Sequence, residues 1–99
     1  MKVHIDLCLI PLGEDISVSR DVAECQKVFQ ERSLSHVLHA YGTNVEGDWD
    51  EVMAAVKECH ERVHQLGRAR ISSTLKIGTR TDRDQSLREK ISSVEDKLN

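Results

Sequence analysis

Two observations predict an α+β fold for this 99-residue chain. Apolar residues recur with the two-residue period of a strand in some segments and with the helical period in others. These segments follow one another as strand, helix, strand, strand, helix, strand, helix.

The first strand has the cleanest alternation. Val3, Ile5, Leu7 and Leu9 alternate with Lys2, His4, Asp6 and Cys8, giving one apolar face. Pro11 and Gly13 are expected to close it, since proline donates no ladder bond and glycine suits a turn. Ser17 or Ser19 offers an N-cap for the next helix. Val18, Val22, Cys25 and Phe29 form its apolar stripe, with Asp21, Glu24, Lys27, Gln30 and Glu31 on the other sides and Ser33 at the exit.

His36 to Tyr41 reads as the second strand, with Val37 and Leu38 as its apolar members. Gly42 is expected to bend the chain into a short third strand from Thr43 to Glu46, and Gly47 to release it into a helix. Asp48-Trp49-Asp50-Glu51 resembles a capping box, in which Asp48 accepts from first-turn amides and Glu51 reaches back. Its acidic residues oppose the positive end of the helix dipole. Trp49, Val52, Met53, Val56, Cys59 or His60, Val63 and Leu66 give the buried stripe, and Gly67 stands at the C-terminal stop. Ile71, Ser73, Leu75 and Ile77 alternate with Arg70, Ser72, Thr74 and Lys76 along a fourth strand. After the polar run from Gly78 to Asp84, Ser86 and Glu89 repeat the capping pattern. Leu87, Ile91, Val94 and Leu98 then form a narrow stripe on a last helix.

The first six elements spell the ferredoxin-like βαββαβ arrangement, an antiparallel sheet with both helices on one face, here with an additional C-terminal helix. In it the first and fourth strands are neighbours. Their even-numbered residues leave the second face of the sheet polar and uncovered. The last helix and self-association are the ways to cover such a face, so a homo-oligomer is expected.

Length is consistent with a single domain over residues 1–99. A net charge of -3 and an aromatic fraction of 3% argue against nucleic acid and an anionic membrane surface as partners. No stretch approaches the roughly 20 apolar residues of a membrane span. The three cysteines, Cys8, Cys25 and Cys59, are odd in number and widely spaced. They read as reduced thiols, and with no signal-peptide pattern at the start the expected location is the cytoplasm.

His60-Glu61-Arg62-Val63-His64 matches the H-E-x-x-H pattern of helical zinc sites. No histidine follows His64 as a third ligand, and so short a chain hardly frames a substrate cleft. A metal-dependent hydrolase using His60, Glu61 and His64 is therefore a minor alternative. Gly42 and Gly47 lack the spacing of a phosphate loop, and no G-x-S-x-G elbow occurs. Arg68, Arg70, Lys76, Arg80 and Arg83 make the last strand basic, as a solvated or interface face or as an anion subsite at a subunit boundary. Glu46, between Val45 and Gly47, can pair with a cation or accept from an amino group. Trp49 reads as core packing more readily than as a stacking platform.

The motifs Leu38-His39, Gly42-Thr43, Glu46-Gly47, Trp49 and Glu51-Val52-Met53 occur with Pro11-Leu12-Gly13, Ser17-Val18-Ser19 and Val22-Ala23-Glu24-Cys25. His60-Glu61, Gly67, Arg70, Gly78 to Asp82 and Lys90 complete the pattern. Over nearly its whole length the chain thereby resembles the family of small single-domain thiamine-binding proteins, related to the tandem thiamine-binding domains of a bacterial thiamine-uptake-linked protein. The resemblance implies a ferredoxin-like fold, assembly into dimers and commonly tetramers through sheet faces, no known catalysis and no cofactor. It implies a small-molecule ligand, thiamine or a related aminopyrimidine cation. An aminopyrimidine needs an acceptor for its amino group and a donor to a ring nitrogen. Glu46, Thr43, His39 and Ser17 stand in the matched motifs and can supply them. Tyr41, with Ala40, replaces the family's frequent Pro-Met and could stack on the ligand or close the pocket. Arg70 and Arg80 are candidates for a phosphorylated ligand. The rival reading is a purely structural or regulatory oligomer without a ligand.

Overall fold

The computed structural model describes residues 1–13 and 17–99. The elements are β1 (Lys2–Leu12), α1 (Ser19–Glu31), β2 (Ser35–His39), β3 (Gly42–Asp48), α2 (Trp49–Gln65), β4 (Arg70–Thr79) and α3 (Leu87–Leu98). The strands form one antiparallel sheet in the order β2-β3-β1-β4. This is the ferredoxin-like α+β fold with the additional C-terminal helix.

Strand alternation places the core. Val3, Ile5, Leu7 and Leu9 of β1 and Val45 of β3 pack against Cys25, Val28 and Phe29 of α1 and Val52, Ala55, Val56, Cys59 and Val63 of α2. Trp49 lies against this core, half-buried.

Register departs from expectation at β1. The strand does not stop at Pro11 but runs on to Leu12, pairing Pro11 with Ile71 and Leu12 with Arg70. On its other side, pairing with β3 ends at Leu7↔Thr43. Beyond Leu7, β1 therefore has a strand neighbour only in β4 among the described residues. A proline is tolerated there because one side of the strand is open.

The other boundary shifts have local causes. β2 ends at His39, so Ala40 and Tyr41 form the hairpin turn. β3 continues through Gly47 to Asp48, because Lys2 and Val3 of β1 pair with those residues. No side chain caps α1, whose preceding residue is Val18; Ser17 Oγ instead accepts from Ser19 N at 3.5 Å, ahead of the first helical turn. The capping box at Asp48 does not form either. The chain's own N-terminus competes for it: the Met1 ammonium sits 3.2 Å from Asp48 Oδ1, and Trp49 N–H donates to the Met1 carbonyl at 2.8 Å. Among the described residues only α3 carries a side-chain cap, with Ser86 Oγ accepting from Glu89 N at 3.1 Å. Gly67 follows α2 at φ +101, the left-handed C′ conformation its position predicts.

Polar clamps join the helices, among them Arg32 at the end of α1 with Glu58 of α2 at 2.8 Å. Asp21, which periodicity puts on the outer side of α1, is 1% exposed, and Val28 joins the stripe instead. Arg68 holds the Asp21 carboxylate bidentately, Nε–Oδ1 at 3.1 Å and Nη2–Oδ2 at 3.0 Å. Arg62 of α2 reaches Glu24 of α1 at 3.3 Å and Glu58 at 2.9 Å, and also pairs with Glu31.

α3 behaves differently from the other helices. None of its residues is buried, and Ile91, Val94 and Leu98 are 52%, 60% and 79% exposed. The radius of gyration, 14.7 Å, exceeds the roughly 13 Å of a compact domain this long. The helix does not blanket the second face of the sheet; it anchors there at its first turn.

Breaking a buried, bidentate ion pair from one side leaves an uncompensated charge. Asp21→Ala is expected to cost about 3 kcal/mol of unfolding free energy in a urea titration. A loss below about 1 kcal/mol would mean that the pair is dispensable to the helix layer.

Candidate functional site

The early parting of β3 from β1 opens a notch at the sheet edge. It encloses about 240 Å³ between Cys8, Leu9 and Ile10 of β1, the hairpin turn at Ala40 and Tyr41, and the first turns of α1. Leu38, Val18 and Val22 supply apolar wall. Gln26, His39 and Thr43 supply the polar side chains.

Gly42 shows how the backbone is aimed. A Cβ there would lie 2.6 Å from the Leu7 carbonyl oxygen, so that carbonyl points toward β3. In an antiparallel strand, N–H and C=O of one residue point to the same side, and every second residue repeats the direction. The N–H and C=O of Leu9 thus point to the side that β3 has left, into the notch. Pro11 is next in this series and has no N–H to leave unpaired.

Side chains around the notch are already oriented. Thr43, 4% exposed, accepts at Oγ1 from Gln26 Nε2 at 2.9 Å. His39 Nε2 lies 2.7 Å from Asp6 Oδ1, while its Nδ1 accepts from Tyr41 N at 3.3 Å. A neutral ring with its proton on Nε2 satisfies both contacts. Tyr41 projects from the turn, 87% exposed. Cys25 reaches the floor, backed by Cys59, whose thiol is pushed up by its hydrogen bond with Cys25 and by burial.

Of the residues singled out from sequence, His39, Tyr41 and Thr43 converge on this notch. Glu46, Ser17 and Arg70 do not line it. Thr43 and Val45 are buried on the helix side, and alternation sends Asn44 and Glu46 to the opposite face. There Glu46 Oε2 meets His4 Nε2 at 3.3 Å and accepts from Leu87 N at 3.1 Å, while Oε1 accepts from Ser35 Oγ at 3.3 Å. Its carboxylate ties α3 to the sheet. Ser17 is exposed, and Arg70 lies at the start of β4 opposite Leu12. Arg80 stands at the other end of the strand, held by Asp82 at 2.6 Å and by Gln85 at 2.6 Å. The basic run of the last strand is therefore scattered, and Arg68 serves Asp21.

The H-E-x-x-H stretch is taken up in packing. His60 Nε2 is 2.6 Å from Ser73 Oγ, Val63 is buried, and His64 Nδ1 is 2.6 Å from the Arg68 carbonyl. Among the described residues no three His, Cys, Asp or Glu side chains gather as a metal site.

Periodicity does not reveal Gln26 or the Leu9 main chain. Gln26 reads as one more solvated helix residue, and a free strand edge leaves no trace in side-chain identity.

A small ferredoxin-like α+β domain with one molecule-sized notch at the edge of its first strand is the class that fold and geometry define. Within it, the chain belongs to the family described as thiamine-binding protein, whose profile matches residues 5–95. A UPF0045 protein of Synechocystis sp. is 61% identical over 95 residues, covering 96% of this chain and 78% of that protein. A UPF0045 protein of Eremothecium gossypii is 42% identical over 100 residues, covering 98% of this chain and 95% of its own. The structure of a hypothetical protein from Methanocaldococcus jannaschii superposes with a TM-score of 0.87 at 36% identity, over 95% of this chain and 96% of that one. A candidate thiamine biosynthesis/salvage protein of Thermotoga maritima shares the fold, with a TM-score of 0.81 at 22% identity over 95% and 99% of the two chains. No helix among the described residues is long and apolar enough to cross a membrane.

Two histidines couple the fold to pH. Burial, then the Lys90 charge, hold His4 below its ordinary value of 6.5, although Glu46 pulls the other way. Burial and the neighbouring His64 do the same to His60. The unfolded chain then binds more protons than the folded one as pH falls, so this stability is full above about 6.5 and drains away below it. Urea unfolding followed from pH about 8 to about 5 should show that decline, and the double variant His4→Gln/His60→Gln should flatten it. The same slope in both proteins would contradict the assignment.

Proposed function

We propose that this protein is a non-catalytic binder of thiamine or a related aminopyrimidine cation, which it holds in the edge notch, acting in the cytoplasm as a homodimer or homotetramer. The observation that carries the reading is the pair of main-chain groups at Leu9. An aminopyrimidine presents a ring nitrogen that accepts and an amino group that donates, side by side. A free strand edge offers the matching donor and acceptor at fixed separation, as it would to an added strand. The apolar walls take the ring, and Gln26 or Thr43 can bond what the strand edge leaves. Asp6 lies on the other face of the sheet and orients His39 rather than meeting the ligand. Tyr41 is free to lay its ring across the mouth. Family membership supports the ligand class.

Self-association is supported by bare apolar surface. The Ile91, Val94 and Leu98 stripe is more than half exposed among the described residues, and Val37 and Leu38 on the edge strand are 60% and 54% exposed. A second copy is the simplest cover for both.

Titration calorimetry with thiamine tests the ligand. Heat of binding is expected at or below millimolar concentration, and His39→Ala and Thr43→Val should each weaken it about tenfold. Glu46→Gln should leave affinity unchanged; loss of binding in that variant alone would move the site to the other face of the sheet. Absence of heat and of any thermal shift with the unaltered protein removes the proposal and leaves the ligand-free oligomer. Light scattering checks assembly: a dimer or tetramer at micromolar concentration, dissociated by Val94→Asp, is the expected outcome, and a monomeric parent protein is the contrary one.

A further inference from the structure

The second face of the sheet carries a recess unrelated to the notch. It encloses about 100 Å³ between β1, the loop after β4 and the start of α3. That is room for a few water molecules at about 30 Å³ each, the size class of a tetrahedral oxyanion. Lys2 enters from β1, Arg83 from the loop and Lys90 from α3. These three cations form no ion pair or hydrogen bond with any described residue. Arg80 also lines the recess, but Asp82 and Gln85 hold it, so it shapes the loop and adds little free charge. One carboxylate, Asp84, faces the recess. Its inner wall is His4, whose Nε2 is turned to Glu46.

Exposed lysines and arginines on one helix face would be an ordinary solvated surface. Here three chain segments bring cations without a hydrogen-bonded partner among the described residues to one concave point, which Asp84 alone among the lining residues offsets with a carboxylate. Burial does most to hold the recess wall's His4 neutral; the Lys90 charge adds to it, Glu46 opposes, and Lys2 contributes least of these charges. The floor includes Gly78, which has no heavy atom within 4 Å of where a side chain would begin, so the main chain is open to close approach.

We infer that this recess binds a small oxyanion of the phosphate class, on Lys2, Arg83 and Lys90. The anion is either inorganic phosphate or the phosphate of a monoester. A second hollow of about 160 Å³ adjoins it, sharing His4, Gly78 and Lys90, and gives an organic group a place to lie. Asn44 lines that hollow with an amide that forms no hydrogen bond with any described residue. The site is separate from the notch and does not depend on thiamine as the notch ligand.

Calorimetry and thermal shift with inorganic phosphate, at constant ionic strength set by chloride, test the inference. Saturable stabilisation is expected, with Lys90→Ala and Lys2→Ala each weakening it at least about fivefold and Lys90→Arg restoring most of it. Lys57→Ala, on the exposed side of α2, is the charge-matched control and should change nothing. Phenyl phosphate run in parallel separates the sources: tighter binding than phosphate assigns the site to a monoester, and equal or weaker binding assigns it to the free ion. No stabilisation by either anion, or stabilisation that survives in the Lys2→Ala/Lys90→Ala double variant, overturns the site. Thiamine carries no phosphate and this test uses no thiamine, so either proposal can fail while the other stands.

Discussion

The structure turns on a mismatch in length between β1 and its neighbour β3. β4 follows β1 to Leu12, whereas β3 leaves it at Leu7. Gly42 makes the parting close, because only a residue without a side chain can sit against the Leu7 carbonyl. Past that contact the Leu9 main chain has no strand partner on that side among the described residues. An unpaired strand edge flanked by apolar side chains is costly to leave empty and easy to satisfy. The notch is thus a direct consequence of strand register, and its walls are residues that belong to the core anyway.

The two faces of the sheet have different tasks. The helix side is closed by packing and by polar clamps, Asp21 with Arg68, Arg32 with Glu58 and Arg62 with its three glutamates. The other side is held at one point, where Glu46 accepts from Leu87 at the start of α3 and touches His4 and Ser35. Everything beyond that first turn of α3 stands off the sheet with its apolar stripe bare. A helix fixed at one end and unburied along its length gains little of its stability from this chain alone.

The order and type of all seven elements were legible in the sequence, because alternation in β1 and β4 and the stripes of α1 and α2 are strong local signals. What local signals missed was set by residues far apart in sequence. Asp21 looks solvated until Arg68 arrives from forty-seven positions away. Asp48 looks like a cap until Met1 is placed beside it by β1 pairing. Pro11 looks like a terminator until it is known that no described strand pairs on one side of it. Each error assumes that a side chain's partners lie within one turn.

Glu46 and Gln26 show the same limit at the site. A carboxylate in an apolar strand-like run draws attention by its chemistry, and an amide on a helix does not. Yet alternation sends Glu46 and Thr43 to opposite faces, so one pocket cannot use both directly. The Glu46 oxygens already accept from Ser35 and Leu87 and face His4. A ligand amino group could take that carboxylate only by displacing the anchor of α3, giving up charge-assisted bonds as strong as those it would make. At the notch, nothing has to be broken: Leu9 offers a donor and an acceptor that the sheet leaves unused. A binding site is better sought where the fold leaves hydrogen-bonding capacity spare than where it places the most conspicuous charge.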